Sequence, residues 1–203
     1  MKVLWAHGLE GRPDGTKPTY LANELGWDVV SPEMNSQGWA IAEHVSIVIQ
    51  AIEENPDLEV IMGSSYGGLA VANAAARMTN SSLRLVLLAP AFGLAENFRN
   101  TVGVEGIIEW EETDSYAYFH HGFGHEVNFS WDFMTSADEM SWPKIKHPTT
   151  IIHGVNDDIV PIDYSRQIAA NNDMIELIEV EDGHRLSESL HYIPLAVERV
   201  LSH

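Results

Sequence analysis

Val60-Ile61-Met62 runs directly into Gly63-Ser64-Ser65-Tyr66-Gly67-Gly68, and the Ala-rich stretch Leu69-Ala70-Val71-Ala72-Asn73-Ala74-Ala75-Ala76 follows. A short apolar run, a glycine-rich bend and a run of helix formers read as strand, sharp turn and helix. In the G-x-S-x-G frame the glycines are Gly63 and Gly67, which makes Ser65 the central serine; Ser64 fails the frame, because Met62 and Tyr66 would then stand at the glycine positions. A serine on such a turn is strained, and neighbours without side chains relieve the crowding between incoming strand and outgoing helix. The helix also points its unpaired N–H groups and positive dipole end at that place, which suits an oxygen that becomes negative during acyl transfer. By itself the pentapeptide arises by accident in roughly one chain in fifteen of this length. Its weight therefore rests on what surrounds it.

The rest of the chain supplies that setting. Val3-Leu4-Trp5-Ala6 is a short apolar run ending at a turn, the pattern of a strand buried on both faces of a parallel sheet. Thr16 is placed to cap a helix containing Leu21 and Leu25, with Gly26 ending it in the left-handed conformation, and Asp28-Val29-Val30 gives a second strand. From Trp39 to Glu53, Ile41, Val45, Val48, Ile49 and Ile52 recur at helical spacing, with Glu43, His44, Gln50 and Glu53 on the solvated side. Further strands are expected at Glu59–Gly63, Leu83–Ala89, Thr149–Gly154 and Met174–Val180, and helices at Ser165–Ala170 and Ser187–Leu201. Alternating strands and helices imply parallel pairing through crossovers, with functional residues in loops at the C-terminal strand ends. The expectation is one three-layer α/β domain with a reduced, mainly parallel sheet of about six strands.

One region breaks the rhythm. Eleven of the eighteen aromatic residues lie from Phe92 to Trp142, together with His120, His121 and His125. This stretch is too long for a crossover helix, so an inserted cap is expected at about residues 93–147. Ile108 and Trp110 alternate with Glu109 and Glu111 before the turn Thr113-Asp114-Ser115 and Tyr116 and Tyr118, a pattern compatible with a β-hairpin; Val127, Phe129, Trp131 and Phe133 alternate too, but suit a helix equally. The aromatics either wall an apolar pocket or pack the insertion's own core.

Composition removes several functions. The 203 residues carry 11 Lys+Arg against 30 Asp+Glu, a formal charge of −19, which repels nucleic acid and anionic membrane surfaces. With no cysteine, disulfides, thiolate metal sites and a cysteine nucleophile are excluded. No apolar stretch reaches the length of a membrane span, and Val3–Ala6 is far short of a signal-peptide core, so cytoplasmic residence is expected. His120, His121 and His125 lack a regular ligand spacing and a carboxylate companion, and neither a metal nor another cofactor is expected.

A serine hydroxyl needs a base within hydrogen-bond reach and a carboxylate to orient that base. His184, in Glu181-Asp182-Gly183-His184-Arg185, directly follows the last strand, where a loop can bring its ring back over the serine; His191 and His203 lie in or after the last helix. For the carboxylate, Asp157 stands three residues beyond Gly154 at the sheet edge, with Asp158 its adjacent rival and Glu96 a third choice. Successive residues of an extended loop project differently, so one of the two aspartates is expected to face the imidazole.

The order Ser65, Asp157, His184 is that of an α/β-hydrolase. Through His7-Gly8-Leu9-Glu10-Gly11, Gly63 to Gly68, His153 to Pro161 and Gly183-His184, the whole chain resembles the small bacterial YqiA-like esterases of that superfamily. The resemblance implies that His7-Gly8 shapes an oxyanion loop in which the backbone N–H groups of Leu9 and Tyr66 bind the developing oxyanion. The side chains of Leu9 and Tyr66 are then free to line the pocket, and His7 and His153 become structural. The expected function is a serine hydrolase acting on a small carboxylic ester, with a small molecule as its partner. The alternatives are a thioesterase, amidase or lactonase using the same residues, or a hydrolase-fold binding module with little turnover. Arg12 and Lys17, beside the oxyanion loop, offer a local exception to the acidic surface or are simply solvated.

Overall fold

Along β1 (Lys2–Ala6), Val3 and Trp5 pack to one side of a sheet while Leu4 and Ala6 pack to the other; along β4 (Leu85–Leu88), Val86 and Leu88 part from Leu85 and Leu87 in the same way. Because strand side chains alternate, a strand apolar at every position has to be covered on both faces. Helices α1 (Thr16–Asn23) and α7 (Ile193–Leu201) cover the first side through Leu21, Ile193, Ala196, Val197 and Val200. Helices α2 (Ile41–Glu54) and α3 (Tyr66–Arg77) cover the second. Burying each Val, Ile or Leu in these layers stabilises the fold by about 1.5–3 kcal/mol before entropy is counted.

The structure is a computed structural model describing residues 1–79 and 82–202. Among these, β1 and β4 join β2 (Asp28–Val30), β3 (Val60–Ser64), β7 (Thr149–Gly154) and β8 (Ile175–Val180) in a six-stranded sheet of order β2-β1-β3-β4-β7-β8, parallel throughout. The chain leaves β1 for one edge and returns across it to β3, so the direction of winding reverses between β1 and β3. A crevice opens at the carboxyl ends of such a pair. Ala6 lies level with Gly63 in the register, which puts the loop after β1 beside the turn after β3.

Several expectations shift. α1 begins at Thr16 itself with Gly15 as its cap, while Gly26, at φ 67°, does take the left-handed turn. α7 begins at Ile193 rather than Ser187, after a 3-10 turn over Leu190–Tyr192. Pro194 has no N–H to donate, so it belongs in a first helical turn. His44 is not on a solvated face: it is buried in α2 and meets the Tyr66 ring edge-on at 4.8 Å. It stands three residues after Ile41, within the apolar stripe once that stripe widens to cover α3. Burial, with His7 nearby, pushes its ring down to about 3, so it is neutral.

Between β4 and β7 the chain forms α4 (Leu94–Thr113), kinked at Gly103, then β5 (Tyr116–His120), β6 (His125–Phe129) and α5 (Asp132–Met140). β5 and β6 pair antiparallel, Tyr116 opposite Phe129 and His120 opposite His125. The hairpin is therefore not built from residues 108–111, which are helical. Asp114, at φ 53°, ends α4 in a left-handed turn, and its carboxylate accepts the Trp131 N–H at 2.6 Å. Alternation over four residues was too short to distinguish strand from helix. The aromatics chiefly pack one another: Phe129 stacks on Phe133 at 4.7 Å, Trp110 on Tyr116 at 4.6 Å, and Phe133 on Tyr66 of α3 at 5.7 Å. The aromatic cluster between β4 and β7 thus continues into the main core.

Candidate active site

Ser65 sits between β3 and α3 at φ 54° and ψ −119°, a left-handed conformation for a residue with a side chain. Such backbone strain persists only where the surroundings over-determine it. Here the Ser65 N–H donates to the Leu88 carbonyl at 2.8 Å, and its carbonyl accepts from the Leu69 and Ala91 N–H groups, both at 3.0 Å. A side chain at Gly63 would collide with the Gly67 backbone, and one at Gly67 with the carbonyls of Ala6 and His7. These close approaches explain both glycines of the pentapeptide.

His184 follows β8 on a loop folded by Asp182, whose carboxylate accepts the N–H groups of Gly183 at 2.8 Å and Glu188 at 2.9 Å. Gly154, at the end of β7, lies so close to this loop that a Cβ there would strike the Asp182 carbonyl. That approach brings the β7 and β8 loops together. The His184 ring then lies between two of the candidate residues, with Nε2 2.9 Å from Ser65 Oγ and Nδ1 2.7 Å from Asp157 Oδ2. A carboxylate only accepts, so Nδ1 carries the proton and Nε2 turns its lone pair to the hydroxyl. The imidazole is thus placed to take the serine proton.

The side chain of Asp157 is fully enclosed. Its Oδ1 accepts the Ile159 and Val160 N–H groups at 2.9 and 2.8 Å, and its Oδ2 accepts from His184 and, at 3.0 Å, from His153 Nε2. Burial alone would raise this carboxyl, but the hydrogen bonds from His153, His184 and Val160 together hold it far below the usual carboxylate range. Asp158 is exposed, and Glu96 accepts from the Trp142 indole instead. Of the three carboxylates, ranked Asp157, Asp158 and Glu96 along the sequence, it is Asp157 that meets His184.

The loop after β1 crosses directly over Ser65: a Cβ on Gly8 would lie 3.2 Å from the Ser64 carbonyl and 3.3 Å from Ser65 Cβ. The buried His7 donates from Nδ1 to the Gly8 carbonyl at 2.9 Å and accepts the Met34 N–H at Nε2. Burial lowers its pKa despite the neighbouring Glu33, in keeping with that neutral role. Neither the Leu9 nor the Tyr66 N–H meets a protein acceptor among the described residues. The Tyr66 side chain does not line a pocket. It is buried, with its hydroxyl bonded to the Trp39 carbonyl at 2.7 Å, because the strained turn directs the first residue of α3 inward. Arg12 forms a surface pair with Asp14 at 3.2 Å, whereas Lys17 is half-buried and lowered by that burial and by Arg185 nearby.

Residues 2–199 match the model of a protein family. The chain belongs to the uncharacterised protein family UPF0227. The match agrees with the YqiA-like resemblance, and the chain has the fold of the solved α/β-hydrolase structures it superposes on. Mouse alpha/beta hydrolase domain-containing protein 10 superposes with a TM-score of 0.78 at 18% identity, over 99% of this chain and 89% of the other. Est1E from Butyrivibrio proteoclasticus, in a structure with ferulic acid bound, gives 0.78 at 20% identity over 99% and 88%. The esterase EaEST from Exiguobacterium antarcticum gives 0.67 at 16% over 98% and 89%. None of the curated proteins matches the chain in sequence.

Two histidines have contacts that sequence reasoning missed. His153 bonds Asp157 from within β7; its spacing of four residues from that aspartate was the available signal. His120 bonds the Leu9 carbonyl at 2.9 Å across 111 residues of sequence, for which no local signal exists.

Proposed function

We propose that this UPF0227 member is a serine hydrolase cleaving small carboxylic esters through an acyl-enzyme on Ser65, within a single domain capped by the insertion at about 93–147. The observation that carries the reading is the His184 ring bridging a strained, half-buried serine and a fully enclosed carboxylate, at 2.9 and 2.7 Å. In this reading His184 Nε2 takes the Ser65 proton as Oγ attacks the ester carbonyl, and Asp157 stabilises the imidazolium without taking the proton. The oxyanion is bound by the N–H groups of Leu9 and Tyr66, each worth about 3–4 kcal/mol of barrier. His184 returns the proton to the leaving alkoxide, then activates the water that releases the acyl group.

The decisive experiment is labelling by a fluorophosphonate together with a rate panel across acyl chain lengths, using Ser65→Ala as the blank. Covalent labelling at Ser65 and turnover of short acyl esters are expected. Labelling that persists in Ser65→Ala, or an unlabelled wild type, would defeat the assignment.

A further inference from the structure

The Leu9 N–H matters only if it is held still, and the structure holds it from both sides. A trans peptide is planar with its N–H opposed to its carbonyl, so fixing one fixes the other. The Gly8 carbonyl, which shares a peptide with the Leu9 N–H, accepts from His7 Nδ1 and the Gly11 N–H, both at 2.9 Å. The next carbonyl, that of Leu9, is held by His120 Nε2 at 2.9 Å. A carbonyl cannot donate, so His120 carries its proton on Nε2, leaving Nδ1 to face the Phe123 N–H at 3.1 Å. The His120 ring is fully buried, stacked on Phe123 at 4.0 Å and set against Trp39 at 5.4 Å.

Two further contacts tie the same hairpin to the same loop. Tyr118 Oη donates to Glu10 Oε1 at 2.7 Å, and a Cβ on Gly122 would fall 2.6 Å from the Glu10 carbonyl, so the hairpin tip lies flush against the loop. Burial and the adjacent Glu10 carboxylate keep the Tyr118 phenol protonated and able to donate.

We propose that His120 is a positioning residue for the Leu9 oxyanion donor, so that the tip of the β5–β6 hairpin and the loop after β1 work as one part. The insertion then acts on the reaction itself as well as on access to it. This inference rests on the Ser65 hydrolase reading.

It is tested with purified full-length His120→Ala, His120→Gln and Tyr118→Phe, each checked for folding by circular dichroism. Three readouts are needed: ester kinetics, inhibition by a trifluoromethyl ketone that forms an oxyanion on Ser65, and amide exchange across residues 8–11. Displacing a donor should cost less than the 10²–10³ of losing one, so His120→Ala is expected to lower kcat by roughly 10- to 100-fold with KM within about threefold. The ketone should weaken in step with kcat/KM, and loop exchange should quicken by about tenfold or more. His120→Gln, whose amide N–H can reach the Leu9 carbonyl, should recover most of the loss. Tyr118→Phe, which spares the Leu9 bond, should cost only a few-fold.

If wild type is labelled at Ser65 and folded His120→Ala keeps kcat within about twofold, the inference alone falls. It also falls if kcat drops while loop exchange is unchanged, or if the loss is shared with KM and His120→Gln recovers none of it. An inactive, unlabelled wild type sinks the hydrolase reading first and this inference with it.

Discussion

Asp157 joins two histidine–serine pairs with similar bond lengths and opposite surroundings. In one, His184 reaches Ser65 at 2.9 Å and the carboxylate at 2.7 Å; in the other, His153 reaches Ser165 at 2.8 Å and the same carboxylate oxygen at 3.0 Å. Ser65 stands at φ 54° on a turn in the crevice between β1 and β3, and the His184 side chain is 13% exposed. Ser165 lies inside α6 (Ile162–Ala170), and both it and His153 are 0% exposed. No ester can reach the second pair. The same three side-chain types thus make an accessible arm, the one proposed to react, and a buried arm, and access and backbone strain separate them.

Breaking the arms one at a time sharpens that contrast. Ser65→Ala should lower kcat by about 10³–10⁶ while leaving the melting temperature nearly unchanged, as read by ester assay and thermal denaturation. Asp157→Asn removes the acceptor common to both arms. A loss of about 10⁴ in kcat is expected because the imidazole tautomer is no longer set.

His153→Leu leaves the Ser65 arm in place but strands the Ser165 hydroxyl and removes one donor from Asp157. Turnover is expected to fall by roughly tenfold, and stability by about 1–3 kcal/mol in denaturant titrations. An undiminished stability would mean that the buried arm does not support the carboxylate. Ser165→Ala should cost about 1 kcal/mol and leave kcat within about twofold; a larger kinetic loss would show that the arms communicate through Asp157.

Acid tests the shared carboxylate. Asp157 is held below its ordinary range, so the unfolded chain binds a proton there before the folded one does. Its stabilising contribution is complete above about pH 4 and is lost as pH falls through the lower folded value. His153→Leu, by removing a hydrogen bond to the charged form, should raise the folded value and shrink that contribution, measurable as a shallower loss of melting temperature below pH 4.

Much of this site was legible along the chain because apolar runs that stop at Gly mark strand ends, where Ser65, Asp157 and His184 were expected and lie. Spacing from Gly154 favoured Asp157 over its neighbour Asp158, while the contact of its carboxylate with His184 depends on the β7 and β8 loops meeting where Gly154 packs against the Asp182 carbonyl. The hairpin was misplaced because residues 108–111 alternate as a strand would, while their helical packing depends on Trp110 reaching Phe129 and Phe133. His44 was assigned to water because a helix carries no record of how wide a surface will cover it.

Composition and periodicity by themselves determined a doubly covered parallel sheet, the strained serine turn, and the order in which Ser65, Asp157 and His184 arrive. These are local properties, set by side-chain spacing and by what a backbone bend tolerates. Only tertiary structure decided that one aspartate would hold two histidines, and that a histidine in the β5–β6 hairpin would hold the loop over Ser65. Those contacts join residues up to 111 positions apart, and which polar groups meet there depends on how the layers pack.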